Sequence, residues 1–361
     1  MVLLKMSIQH QPLTLLEVQR AAGATWQASP DEEGVIMGFG RDSEALLALE
    51  SGGVVWDRSH WGRIRVEDRD RLRFLHNQST NDFQGLSPGQ GCDTVFVTST
   101  ARTLDLATAL IQDDHVTMIV SPNRRQFLMD WLDRYIFFAD RVKLTDITSQ
   151  TAMFSLLGSG SLALLTQLTT NDIGVSSYGH HQIITINEVA IQLVVGSGLG
   201  IPGYTLIMEP HQAPSVWQAL TEIGAVPMGE QLWQYLRIQQ GRPMAGCELT
   251  EDYNPLEAGL RQALSFSKGC YIGQETIARL ETYKGVKQRL WGVRFTVGAQ
   301  PLSGNAVMVG DEKVGYLTSV ISTPTEVCGL AYIRTKAGGV GLEIKVNNEI
   351  GVVTHVPFLH H

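Results

Sequence analysis

The run Lys268-Gly269-Cys270-Tyr271-Ile272-Gly273-Gln274-Glu275, continued by Thr276-Ile277-Ala278-Arg279-Leu280, is the most informative stretch of this chain. Two glycines flank a thiol, a base stands two residues before it, and helix formers follow. Glycine gives the backbone the freedom a tight turn needs. Gln274 to Tyr283 has the spacing of a short helix, with Ile277 and Leu280 inward. Cys270 therefore stands just before a helix N-terminus with Lys268 close in sequence, a setting that favours the thiolate. The alternative is a buried structural cysteine in a turn.

Around that stretch the composition sets limits. The chain has 361 residues, long enough for two or three domains. Hydrophobic residues make up 43% and charged residues 18%, which fits a globular protein. No apolar run reaches the roughly 18 residues that a membrane helix requires. Met1 to Gln11 lacks the pattern of a signal peptide, so cytoplasm is the default location. The four cysteines, Cys92, Cys247, Cys270 and Cys328, are far apart and form no C-x-x-C pair. That argues against a zinc ribbon, a single-chain iron–sulfur motif or a disulfide framework, and no resident metal is expected. The net charge of −8 argues against general nucleic-acid binding. Two local basic runs stand out, Arg63 to Arg73 and Lys268 to Arg289; each is an anion-binding candidate or a solvated face.

The secondary-structure pattern divides the chain in three. Val54 to Trp56 and Ile64 to Val66 have strand character, and Asp68 can cap a helix carrying Leu72 and Leu75. Thr94 to Val97, Leu104 to Ile111 and His115 to Val120 follow as strands. Ser121-Pro122 then has the form of a helix start, ahead of core residues Phe127, Trp131, Leu132 and Tyr135. After Val142 to Ile147 a second α+β unit of similar order runs from Met153 to Leu220, and Glu230 to Gln240 forms a further helix. From Gln288 onward six short alternating runs separated by turn residues mark a small β-barrel or sandwich. The expected fold class is α+β: two related units over 1–285, split near 150 and open to interleaving with the N-terminal segment, then a barrel over 286–361.

The octet also carries a resemblance. It matches K-G-C-Y/F-x-G-Q-E, the signature of the YgfZ-type folate-binding proteins within the aminomethyltransferase (glycine cleavage T-protein) superfamily. Further segments are similar to that superfamily in the same order. They include Trp56 to Ile64, Phe74 to Asp82, Pro88-Gly89-Gln90, Leu236 to Gly241 and Asn254 to Leu260. The resemblance implies a tetrahydrofolate-binding fold with a central cleft and a role in assembly or repair of iron–sulfur proteins. Folate and iron–sulfur proteins or cluster carriers would be the partners, with no nucleic acid and no membrane. It places Cys270 as the reactive group and Asp105 as the carboxylate that guides one-carbon chemistry. Lys268, Arg237, Glu257, Tyr271, Gln274 and Glu275 become candidate folate contacts.

Each assignment has a plainer counterpart. Asp105 is alternatively a solvent-facing strand aspartate, and Arg237 an internal salt-bridge partner, for instance of Glu257. Two departures bear on chemistry. Leu104-Asp105-Leu106 keeps only the first of the transferase's paired aspartates, and Ile201 stands where the transferase has a pterin-binding glutamate. An isoleucine side chain accepts no hydrogen bond. The second function in view is therefore a folate-dependent aminomethyltransferase or demethylase, and the third an interaction scaffold.

Overall fold

A computed structural model describes residues 13–26, 34–174 and 176–361; the expected absence of a leader at Met1 to Gln11 lies outside them. The first α+β unit is built on a five-stranded antiparallel sheet. Its spatial order is Gly91–Val97, Thr103–Ile111, His115–Val120, Gly62–Glu67, Lys143–Asp146. Helices Arg71–Gln78 and Arg125–Asp133 bury Phe74, Leu75, Leu128, Trp131 and Leu132 in the core with Ile64, Val66 and Phe96. The near-continuous apolar run of Thr103–Ile111 fits a strand buried on both faces.

The second unit has a six-stranded sheet in the order His181–Ile186, Val189–Val195, Gly203–Met208, Ala152–Leu157, Val54–Asp57, Val226–Met228. Helices Ser161–Leu168 and Ala213–Glu222 contribute Leu165, Val216, Trp217 and Leu220 to one core. Helices Asp42–Ser51 and Glu230–Gln240 contribute Ala45, Leu232, Trp233 and Leu236 to a second, with Trp56, Met153 and Leu157. The N-terminal strand Val54–Asp57 thus pairs antiparallel with Ala152–Leu157, although the whole first unit lies between them in sequence. The two units are interleaved rather than strung in line.

Residues 288–354 form a closed six-stranded barrel, in the order Gln288–Phe295, Val327–Arg334, Glu312–Ser322, Ala306–Val309, Glu343–Val346, Glu349–Thr354. The chain end returns to the second unit, where Phe358 N donates to Gln240 O at 2.8 Å. No helix among the described residues is long and apolar enough to cross a membrane.

Three local expectations change. Asp68 has φ +77° and lies outside the helix, whose N-cap is Asp70. Ser121 does not cap a helix: Arg125–Asp133 begins later, and the serine turns to a buried carboxylate. Phe127 is exposed, with the Arg124 guanidinium 5.3 Å from its ring centre, while Leu128 takes the core position.

Candidate functional site

Asp105 sits in the middle of strand Thr103–Ile111 and is fully buried. Its two oxygens accept from Ser121, Oδ2 from the backbone N at 2.9 Å and Oδ1 from the hydroxyl at 2.6 Å. Burial pushes its pKa up to about 6, against the opposing pull of the Ser121 hydrogen bonds and the Arg242 charge. A carboxylate that titrates near neutrality can serve as proton acceptor or donor. A second buried carboxylate, Asp93, accepts from the Thr108 hydroxyl at 2.6 Å and the Tyr178 hydroxyl at 2.8 Å. Tyr178 as a residue is nevertheless 46% exposed, with its ring packed against Gly196.

Ser121, the partner of Asp105, shares a recess with an aromatic cluster. Trp56 stacks on Trp233 with centroids 4.1 Å apart, and Trp61 meets both edge-on. The guanidiniums of Arg58 and Arg242 lie 4.0 and 5.4 Å from the Trp61 ring centre. A recess of about 30 Å³ opens between Trp61, Ser121, Trp233 and Arg242. Ligand pockets usually measure about 300–1,000 Å³, so this recess takes a small group and not a pterin ring as its walls stand.

The octet is organised differently. Lys268 is buried and its Nζ donates to three carbonyls, those of His76, Ser79 and Asn81, at the end of helix Arg71–Gln78. An ammonium has three donors, and all three are used. Tyr271 is buried with the Lys268 ammonium 4.5 Å from its ring centre. Gly273, at φ +81°, caps helix Gln274–Thr282, in which Ile277 is buried, while the Gln274 amide donates to Gly269 O and Glu275 is exposed. Together these contacts hold Cys270 on the surface. The other three thiols differ. Burial pushes Cys92 and Cys328 up to about 12 and raises Cys247, which makes them poor nucleophiles at neutral pH.

Among the candidate folate contacts, Arg237 lines the recess but its guanidinium is occupied. It donates to Glu248 Oε2 at 3.0 Å, Ser319 Oγ at 2.8 Å and Gln234 Oε1 at 2.9 Å. Its internal partner is thus Glu248 rather than Glu257. Glu257 accepts from the Asn254 backbone N and closes the turn at Asn254 to Leu256. No residue of the octet lines the recess. Of the basic runs, Arg63 is buried, and Arg65 and Arg73 pair with acids on the surface.

With this geometry in place, the comparison with known proteins decides the family. The model of the GCVT N-terminal domain matches residues 41–268. The chain belongs to the GCVT family. A chloroplastic "putative transferase" of Arabidopsis thaliana is 46% identical over 331 residues, covering 91% of this chain and 76% of that one. The aminomethyltransferase of Anoxybacillus flavithermus is 27% identical over 321 residues, 86% of each chain. In fold, the crystal structure of the glycine cleavage system aminomethyltransferase T from Bartonella henselae superposes with a TM-score of 0.82 at 18% identity, covering 96% of this chain and 97% of that one.

The GCVT match contains Asp105, Ser121, Tyr178 and Arg242 and ends at Lys268, so the central recess lies inside it and Cys270 outside. The sequence singles out Asp105 and Cys270 as candidates but gives no such signal for Arg58, Arg242, Trp61 and Tyr178, which the fold brings near Ser121 and Asp105. Ser121 has a signal, a polar residue at the end of a buried strand, but Pro122 after it points to a helix start. Arg58 and Arg242 are single cations in non-periodic loops, where only the fold reveals that they are buried.

Proposed function

We propose that this GCVT-family protein is a tetrahydrofolate-binding accessory factor of the YgfZ type that supports assembly or repair of iron–sulfur proteins in the cytoplasm, with Cys270 as its acting group. The observation that carries this reading is the exposed Cys270, presented by a loop whose own polar groups are spent on holding it. A soft, deprotonable sulfur is suited to cluster or redox work. Among the described residues no group of three or more His, Cys, Asp or Glu could hold a metal ion. A cluster handled as cargo would therefore draw its other ligands from a partner.

The central residues fit a folate by their chemistry. Arg242 lines the recess with Ser121, the hydrogen-bond partner of Asp105, and Tyr178 is a partly exposed aromatic residue. Tetrahydrofolate supplies a nitrogen that accepts one-carbon groups. To admit its ring near Ser121, side chains must move, and the Gln234–Met244 contact at 3.6 Å is a weak one. A second reading, folate-dependent aminomethyl transfer, is favoured by Asp105, whose raised pKa suits proton transfer.

Tetrahydrofolate titration and cellular complementation test the proposal together. Cys270→Ala should bind tetrahydrofolate within a few-fold of the parent yet fail to restore iron–sulfur enzyme activity in cells lacking the protein. Full restoration by the alanine variant would defeat the assigned role of the thiol. Turnover of a methylamine donor that depends on Asp105 would instead support the transferase reading.

A further inference from the structure

The second basic run of the sequence, Lys268 to Arg289, takes no part in the central recess. From Arg261 to Arg289 stand six basic and two acidic residues, in a chain whose net charge is −8. Lys268 is buried on its three carbonyls, but Arg279, Lys284 and Lys287 are exposed and Arg289 is partly so. None of these four forms an ion pair within 4.0 Å among the described residues, whereas the exposed Arg41, Arg73 and Arg294 each pair with an acid. Two exposed aromatic residues adjoin the run, Phe266 at 44% and Tyr283 at 77%.

These groups join into one surface. The Arg261 guanidinium lies 4.8 Å from the Phe266 ring centre and pairs with Glu281 at 2.6 Å. The hydrogen bond from Arg261, and then the charges of Arg261, Lys284 and Arg289, hold the Glu281 carboxyl below its usual range. Helix Gln274–Thr282, nine residues and about 14 Å long, turns Ile277 inward and leaves Glu275, Ala278, Arg279 and Thr282 exposed. Cys270 is exposed ahead of its first turn, where Gln274 Nε2 donates to Gly269 O at 3.3 Å, and Tyr283 and Lys284 follow its far end. A protein footprint of about 800 Å² per partner covers that length. Lys284 has φ +46°, the left-handed position at a helix end that glycine ordinarily fills, with Gly285 N donating to Leu280 O at 2.9 Å. A side chain there costs stability that glycine would not, so the turn itself does not call for a lysine.

We propose that this surface, carried by Phe266, Arg279, Tyr283, Lys284, Lys287 and Arg289, docks an acidic face of a partner protein and brings it over Cys270. Aromatic and arginine side chains are enriched in protein interfaces, and a positive patch on an otherwise acidic chain selects a negative one. Nucleic acid fits less well, because it needs a longer basic footprint and meets Glu275, Glu281 and the net charge of −8. The surface stands on its own geometry; taking the partner to be an iron–sulfur protein or cluster carrier rests on the function proposed above.

The full chain is titrated with a fluorescein-labelled helical peptide rich in Glu and Asp, with its Gln and Asn counterpart, with single-stranded DNA, and with vesicles of equal parts phosphatidylserine and phosphatidylcholine. Iodoacetamide alkylation of Cys270 is followed by mass spectrometry with and without the peptide. The acidic peptide should bind the parent saturably, more weakly as salt rises, and should slow that alkylation, while the neutral peptide does neither. Arg279→Glu combined with Lys287→Glu should weaken it roughly tenfold or more. Lys284→Gly should weaken it several-fold with a urea midpoint no lower than the parent's, a split that a purely structural lysine would not give. Circular dichroism checks that each variant folds. Equal peptide affinity in the parent and the double variant, alkylation untouched by bound peptide, or tighter binding of DNA or vesicles would each overturn the surface. In cells lacking the protein, the double variant should fail to restore iron–sulfur enzyme activity. If it restores that activity fully while Cys270→Ala fails, the role of the thiol stands and the docking surface falls. If Cys270→Ala restores it as well, the iron–sulfur reading falls and the peptide titration alone decides the surface.

Discussion

Ser121 shows where residue-level reasoning stops. Ser followed by Pro is a sound helix-start signal, but the hydroxyl has a stronger competitor in Asp105, buried one strand away. An unpaired buried carboxylate costs more than an uncapped helix, so the cap is forfeited. Asp105 itself was legible as a carboxylate in an apolar strand; its complete burial was not, because strand periodicity gives no account of what covers the second face. The burial has a pH signature. The folded pKa, about 6, is above the ordinary aspartate value of 3.8. Between those values the native state holds more protons than the unfolded chain. Stability contributed by this group therefore falls as pH rises through that window, and the cost persists above it. Asp105→Asn removes the charge, so relative to the parent it should gain stability from pH 4 to pH 7, on the order of 3 kcal/mol at most. Urea denaturation at several pH values checks this; two parallel stability curves would contradict it.

At the scale of elements the periodic segments were the legible ones. Helix Glu230–Gln240 and strand His115–Val120 lie where spacing puts them. The octet was legible as a glycine turn followed by a helix, but the direction of Lys268 was not. The lysine points into the fold, to the carbonyls at the end of helix Arg71–Gln78, where a cation also meets the negative end of the helix dipole. What ties the turn down on its other side is Gly273. It adopts φ +81°, and a Cβ there would come within 2.9 Å of the Thr98 carbonyl oxygen and 3.1 Å of Ala101 Cα. Those neighbours are backbone and cannot swing aside. Gly273→Ala should therefore cost about 1–3 kcal/mol, loosen helix Gln274–Thr282 and speed alkylation of Cys270. A variant with the parent's urea midpoint and alkylation rate would show that the turn has room to adapt.

For the whole molecule, three regions were legible from texture alone, while their connections were not. Strand pairing between Val54–Asp57 and Ala152–Leu157 spans the entire first unit, and local pattern carries no record of such a partner. The change to short alternating strands after Gln288 marked the barrel, yet the barrel is not an appendage. Glu248, fully buried, receives Arg237 from helix Glu230–Gln240 and the hydroxyls of Thr318 and Ser319 from barrel strand Glu312–Ser322. The Tyr332 hydroxyl donates to the Glu248 carbonyl, and the Tyr332 ring stacks on Tyr253 at 3.5 Å. One ion pair thus sits at the junction of the second unit, the segment leading to the octet, and the barrel. Removing one partner of a buried pair leaves the other charge uncompensated, typically at about 3–5 kcal/mol. Arg237→Ala should lose stability on that scale and expose the 284–287 link to limited proteolysis. Adding Glu248→Gln should recover part of the loss, since the orphaned charge is then gone while the hydroxyl contacts remain possible. Urea denaturation of the two single variants and the double variant measures the coupling. Additive losses, or a cost for Arg237→Ala below about 1 kcal/mol, would mean that the barrel is held by apolar packing and that the ion pair is incidental to it.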